Sequence, residues 1–129
     1  MTRSLNKVML IGNLARDPSL RTTTTGSSVC NFTVVTNREY TDSKGEKQEI
    51  PEFHNIVAWA NLAEISAKLL KQGDRVYVEG RLQTRKYADK EGVDKYSTEI
   101  IINEMLLLPR GVKPEGGDSF EDDVASAIL

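Results

Sequence analysis

The sequence predicts an all-β domain with one helix, arranged as an OB-fold: a five-stranded Greek-key barrel with the helix between strands 3 and 4. Three observations carry this. Residues 7–108 are dominated by stretches rich in Val, Ile, Thr and aromatic residues, bounded by Gly, Pro and Asp turn signals. One stretch, Asn61 to Gln72, has helical periodicity instead. It follows three predicted strands and precedes two, which is the element order of a small partly open Greek-key barrel.

The first strand is expected over Lys7 to Ala15, rich in Val, Ile, Leu and Met and ended by Asp17-Pro18. Arg21 to Ser28 is mostly Thr, Gly and Ser and reads as a loop or frayed strand edge. Ser28 to Glu39 is β-branched and aromatic and reads as the second strand. Tyr40 to Pro51 is polar around Ser43-Lys44-Gly45, which predicts a long projecting hairpin loop. Glu52 to Ala60 is the third strand. Its two-residue period puts Phe53, Asn55, Val57 and Trp59 on one face and His54, Ile56 and Ala58 on the other.

In the predicted helix, Asn61 is placed to cap and Glu64 to complete a capping box. Leu62, Ile65 and Leu69 form its apolar face, with Ala63, Ala67 and Leu70 beside them. Gly73 supplies a left-handed stop. Asp74 to Asp89 is the fourth strand, with Val76, Val78, Gly80, Leu82 and Thr84 facing the core. Tyr77, Glu79, Arg81, Gln83, Arg85 and Tyr87 form an aromatic and cationic opposite face. Lys90 to Asp94 is a tight hairpin loop, and Lys95 to Leu108 is the last strand, ended by Pro109.

The 129 residues suffice for one domain with a core of its own. The net charge of −2 hides an asymmetry. Residues 1–110 carry 16 Lys/Arg against 14 Asp/Glu, whereas residues 111–129 carry one Lys against five acids. The expected organisation is a barrel domain over 1–110 and a short, acidic, disordered tail over 111–129. The mildly basic body permits phosphate binding.

No run reaches the roughly 18 apolar residues of a membrane helix. The N-terminus has neither signal-peptide nor transit-peptide character, so a cytoplasmic, nucleoid-associated location is expected. Cys30 and His54 are the only residues of their types; Cys30 reads as a small core residue. No ligand spacing suggests a metal, and no phosphate-binding glycine loop or nucleophile elbow is present. No cofactor, metal or catalytic residue is expected, and the chain is not read as an enzyme.

The informative feature is where the eight aromatic residues fall. Tyr87 follows Arg85-Lys86 at a strand end, Tyr40 follows Arg38 at a loop mouth, and Phe53 and Trp59 share a strand face. Taken singly, Trp59, Phe53 and Phe32 read as core, and Arg81, Arg85 and Lys86 as a solvated strand face. Taken together, rings interleaved with cations are what a sequence-tolerant single-strand binder requires. Bases stack on rings whatever their identity, and Lys and Arg hold phosphates.

With these residues assembled, the chain resembles the bacterial single-stranded DNA-binding protein family from about Leu5 to Leu108. The resemblance is carried by Asn6-Lys7-Val8-Met9-Leu10-Ile11-Gly12-Asn13-Leu14, Arg16-Asp17-Pro18, Glu52-Phe53-His54, Leu62-Ala63-Glu64, Val76 through Leu82 and Thr84-Arg85-Lys86-Tyr87. It implies base stacking at Tyr40, Phe53, Trp59 and Tyr87, where the family commonly has other rings. It implies backbone contacts from Arg3, Lys7, Arg85 and Lys86. It also implies a homotetramer with subunit contacts at His54 and near Tyr77, and a role in DNA replication, recombination and repair.

The tail departs from the family pattern. Glu121, Asp122 and Asp123 are present, but the chain ends Ala127-Ile128-Leu129 after a very short linker. The expectation is that Glu121, Asp122, Asp123, Ile128 and Leu129 dock replication and repair proteins weakly. Two other readings of the same fold are a primosomal-type accessory working through protein contacts and an RNA-binding module.

Overall fold

The computed structural model describes residues 2–109. The expectations for residues 111–129, including the acidic tip, lie outside the described residues. Six strands and one helix follow in the order β1 (Val8–Leu14), β2 (Ser19–Thr22), β3 (Ser28–Thr41), β4 (Lys47–Trp59), α1 (Ala60–Leu69), β5 (Arg75–Ala88) and β6 (Asp94–Leu108).

Five of the strands close on themselves. β1 pairs antiparallel with β5 along most of its length and with β3 through Asn13 and Leu14. β3 pairs with β4, β5 with β6, and β4 meets β6 in a short parallel ladder at Ile56–Ile100 and Val57–Ile101. The ring β1–β3–β4–β6–β5 is the OB-fold barrel. At Gly12 β1 comes so close to β3 that a Cβ there would run into the carbonyl oxygen of Val35.

The inner faces follow strand alternation. Leu14, Cys30, Phe32, Val34, Ile56, Ala58, Val76, Val78, Ile100 and Ile102 form the core, and burial pushes the Cys30 thiol up. In β6 the alternation breaks. Glu79 pairs with Glu104 and Gly80 with Ile102, so Asn103 is an extra residue and a bulge. The bulge flips the phase, and Met105 rather than Glu104 packs against the core. Gly80 faces the bulge, where a Cβ would collide with the carbonyl oxygen of Ile101.

Several expectations are corrected. Ser19–Thr22 is a strand, so the helix lies between the fourth and fifth of six strands. β2 is exposed throughout and pairs only with β3, so it has no buried face for a hydrophobic pattern to reveal. The stretch Tyr40 to Pro51 is not a long loop. The ladder of β3 and β4 continues to Thr41–Lys47, leaving only a tight turn.

That turn has a mechanism. The Asp42 side chain accepts hydrogen bonds from the backbone N–H groups of Lys44 and Glu46, and Gly45 takes the left-handed position at φ 78°. These contacts, with one from Gln48, hold the Asp42 carboxyl below its ordinary range. The same turn recurs at Asp89 to Val93, with Asp89 accepting from Glu91 and Val93. A Thr version spans Thr23 to Ser27.

The helix also differs from expectation. Trp59 is its N-cap without a side-chain bond, and Asn61 lies inside it. Strand β4 runs into α1 with no intervening loop, so the reversal falls on Ala60, a non-glycine residue at φ 57°. Glu64 accepts a hydrogen bond from the Ser28 hydroxyl (3.2 Å), the only one its side chain makes among the described residues, so no capping box forms. The face entering the core is Leu62, Ala63, Ser66, Ala67 and Leu70, with Ile65 and Leu69 exposed. Small Ala63 and Ser66 let the helix lie close to the barrel. The helix ends at Leu70, and Gly73 (φ 89°) serves the following turn rather than the stop.

Candidate nucleic-acid interface

The register defines one continuous outer face. Residues directly opposite in a ladder share a side of the sheet. Arg21, Val29 and Trp59 form one row across β2, β3 and β4. Ser19, Asn31, Val57, Ile101 and Arg81 form the next, reaching β6 and β5. Thr33 with Asn55, and Glu99 with Gln83, continue it, followed by Val35 with Phe53 and Ser97 with Arg85. Tyr87 lies two residues beyond Arg85 on the same side.

Three rings on this face stand open. Phe53 is 65% exposed, Trp59 45% and Tyr87 44%. The core reading of Phe53 and Trp59 therefore fails, while Phe32 is buried as expected. The Arg85 guanidinium lies 5.9 Å from the Tyr87 ring centroid, a cation over an aromatic face. Between the rings, Arg16, Asn31, Thr33, Asn55, Arg85, Ser97 and Glu99 line a concavity of about 210 Å³. The amide and guanidinium donors that line it suit anionic backbone, and the open rings on the same face suit flat bases.

The other candidates lie elsewhere. Tyr40 is exposed, but it pairs with Gln48 on the opposite side of its hairpin from Phe53. Lys86 pairs opposite Tyr96 on the reverse of the β5–β6 hairpin and binds Asp94 at 3.1 Å. Arg3 is exposed, and Lys7 lies 3.7 Å from Glu79. The Asn6 amide clamps the backbone of Leu82 with two bonds of 2.8 Å, which lays this segment along β5.

His54 is half-buried and its Nε2 lies 2.8 Å from the Thr36 hydroxyl. Tyr77 is buried on the outer side of β5, in a row with Ile11 and exposed Leu106. Burial pushes its phenol up to about 12, reinforced by its 2.8 Å hydrogen bond to Glu79 and by the charges of Glu79 and Glu104. Glu121, Asp122, Asp123, Ile128 and Leu129 lie outside the described residues.

Residues 5–108 match the single-strand binding protein family. The chain belongs to this family. It is 52% identical over 118 residues to single-stranded DNA-binding protein 1 of Chlorobaculum tepidum, covering 91% of this chain and 72% of that one. It is 44% identical over 119 residues to the single-stranded DNA-binding protein of Neisseria meningitidis, covering 92% of this chain and 68% of the relative. Among solved structures, the Plasmodium falciparum SSB complex with ssDNA superposes with a TM-score of 0.77 at 33% identity. That match covers 84% of this chain and 99% of the other.

Sequence reading missed part of the face of this family member. Arg21, Asn31, Thr33 and Glu99 belong to it only through cross-strand register, and Arg16, in the turn after β1, only through the concavity it lines. Asn55 was placed beside Phe53 by the two-residue period but given no role. Among the described residues, no group of His, Cys, Asp or Glu could hold a metal ion, and no helix is long and apolar enough to cross a membrane.

Proposed function

We propose that this chain binds single-stranded DNA without regard to base sequence. Bases stack on Phe53, Trp59 and Tyr87, while Arg85 and the neighbouring cations Arg16 and Arg21 hold the backbone. The observation that carries the reading is that the ladder register gathers three exposed rings with Arg21 and Arg85 on one side of the barrel, where Arg16 lines the same concavity as Arg85. Each stack is worth about 1–3 kcal/mol and tolerates any base, because every base has a π-face. Tyr40 and Lys86 lie on the reverse sides of their hairpins, Lys7 lines a cleft beside the Arg81–Ile101 row, and Arg3 is exposed; we assign these four to a strand that continues from the face around the barrel and its hairpins.

The chain acts in this proposal as a binding protein rather than an enzyme, in DNA replication, recombination and repair in the cytoplasm at the nucleoid. It assembles as a homotetramer. Support comes from the row Ile11, Tyr77 and Leu106, an apolar stripe on the outside of the barrel, with half-exposed Met9 in the adjoining row. His54 is assigned to a subunit contact. Residues 1–110 form the DNA-binding domain, and the acidic-then-apolar tip of 111–129 docks replication and repair proteins weakly. A pull-down in which deletion of 118–129 loses no partner removes that last role.

The test of binding is a titration of labelled oligo-dT, oligo-rU and duplex DNA at low and high salt. The reading expects tight binding of oligo-dT, weaker binding of duplex, and affinity that falls with salt. Preference for the ribo strand would favour the RNA-binding reading. Indifference to all three would leave a module working through protein contacts.

A further inference from the structure

We infer that Glu99 competes with DNA phosphate for Arg85 and thereby limits the affinity of the stacking face. This rests on the single-strand-binding reading and adds to it a residue that sets how tightly the strand is held. Arg85 sits opposite Ser97, and Glu99 reaches it diagonally across the β5–β6 ladder. Arg85 Nε donates to Glu99 Oε1 at 3.2 Å. The same guanidinium lies 5.9 Å from the centre of the Tyr87 ring, within reach of the phosphate beside a base stacked on the open part of that ring.

The ion pairs at neighbouring cations differ in kind. Lys86–Asp94 and Arg38–Glu52 are open on both sides, and Lys7–Glu79 is open on its Lys side. When phosphate displaces an open carboxylate, water solvates the freed charge at little cost. The Glu99 side chain is only 12% exposed, against 56% for Arg85. Displaced from Arg85, its carboxylate stays in the concavity with Arg16, Asn31, Asn55 and Ser97, poorly hydrated and close to the incoming phosphate, and there it competes for Arg16 as well.

Two consequences follow. Binding at Arg85 exchanges one anion for another, so it releases almost no counterion. Neutralising Glu99 frees Arg85 for phosphate and restores that release. Glu99→Gln keeps the shape of the side chain and an oxygen to accept from Arg85 Nε, but removes the charge.

The experiment measures oligo-dT affinity against salt for the unaltered protein, Glu99→Gln, Arg85→Ala and the double variant. The expected result is that Glu99→Gln binds about tenfold tighter, the worth of roughly one charge-assisted hydrogen bond. Its log–log salt slope steepens by about 0.7, the value of one phosphate on a single strand. Arg85→Ala weakens binding but leaves the slope unchanged, whereas in the Glu99→Gln background it removes the added 0.7. A merely structural role for Glu99 would not move the slope in this pattern.

Equal or weaker binding by folded Glu99→Gln overturns the inference. If that variant does not fold, Arg85→Ala alone decides: an unchanged slope supports the inference, and a loss of about 0.7 overturns it. An unaltered protein that ignores oligo-dT at low salt overturns the parent reading instead, so the two failures are distinguishable.

Discussion

Removing the ring of Trp59 tests the stacking surface one platform at a time. Trp59 is 45% exposed, so a little under half of its side chain is available to a base. A tryptophan buries roughly 150–250 Å² when fully covered, which leaves roughly 100 Å² for stacking. At about 25 cal/mol per Å² this is roughly 2.5 kcal/mol, within the range of about 1–3 kcal/mol for one stacked base. Trp59→Ala should therefore weaken oligo-dT binding roughly 60-fold. Trp59→Phe, which keeps a smaller ring, should lose only a few-fold. The packed half of the ring contributes a similar amount to folding, so affinity is read by anisotropy of a labelled oligonucleotide well below the unfolding temperature. In the unaltered protein Trp59 is the single tryptophan, and its fluorescence should be quenched on binding. Unchanged affinity in folded Trp59→Ala would show that the exposed ring touches no base, and the stacking argument for this position would be refuted.

Other perturbations have equally definite outcomes. Ala60→Gly relieves a left-handed backbone that costs an alanine about 1–2 kcal/mol, against about 0.5–1 kcal/mol of added chain entropy. Thermal unfolding should rise by a few degrees with DNA binding unchanged, and a fall would mean the left-handed turn is unstrained. Gly12→Ala drives a methyl group into the Val35 carbonyl at the barrel seam and should destabilise by about 1–3 kcal/mol in chemical denaturation. Tyr77 has a folded-state value of about 12 against an ordinary 10, so its contribution is complete below pH 10 and is lost as pH rises from 10 to about 12. Denaturation midpoints should fall across that window, and Tyr77→Phe should remove this part of the fall.

Much of the barrel could be read from alternation because most strands bury one face. The period over residues 53–59 separated buried Ile56 and Ala58 from exposed Phe53, Asn55 and Trp59, although Val57, on the same side as these three, is buried as well. It failed where burial does not set the pattern. β2 buries nothing, and the ends of β3 and β4 project beyond the core as a paired arm whose polar residues imitate a loop. Their turns were nevertheless written in the sequence as Asp or Thr followed three residues later by Gly, at 23, 42 and 89. The helix start was misplaced because Asn61 and Glu64 fit a capping box, while tertiary connection to β4 put the reversal one residue earlier.

The site was legible as a set of rings and cations but not as a surface. Which rings share a side depends on cross-strand register, which periodicity does not supply. Hence Phe53, Trp59, Arg85 and Tyr87 come together while Tyr40 and Lys86 fall on reverse faces. Nothing in the spacing of β6 marks Glu99, which only the ladder sets against Arg85.

Photo-crosslinking of oligo-dT to the protein, with the adducts located by peptide mass mapping, bears most directly on where the strand runs. Adducts should concentrate at Phe53, Trp59 and Tyr87 and disappear with excess unlabelled oligo-dT. Adducts confined to the Ile11, Tyr77 and Leu106 stripe would contradict the account.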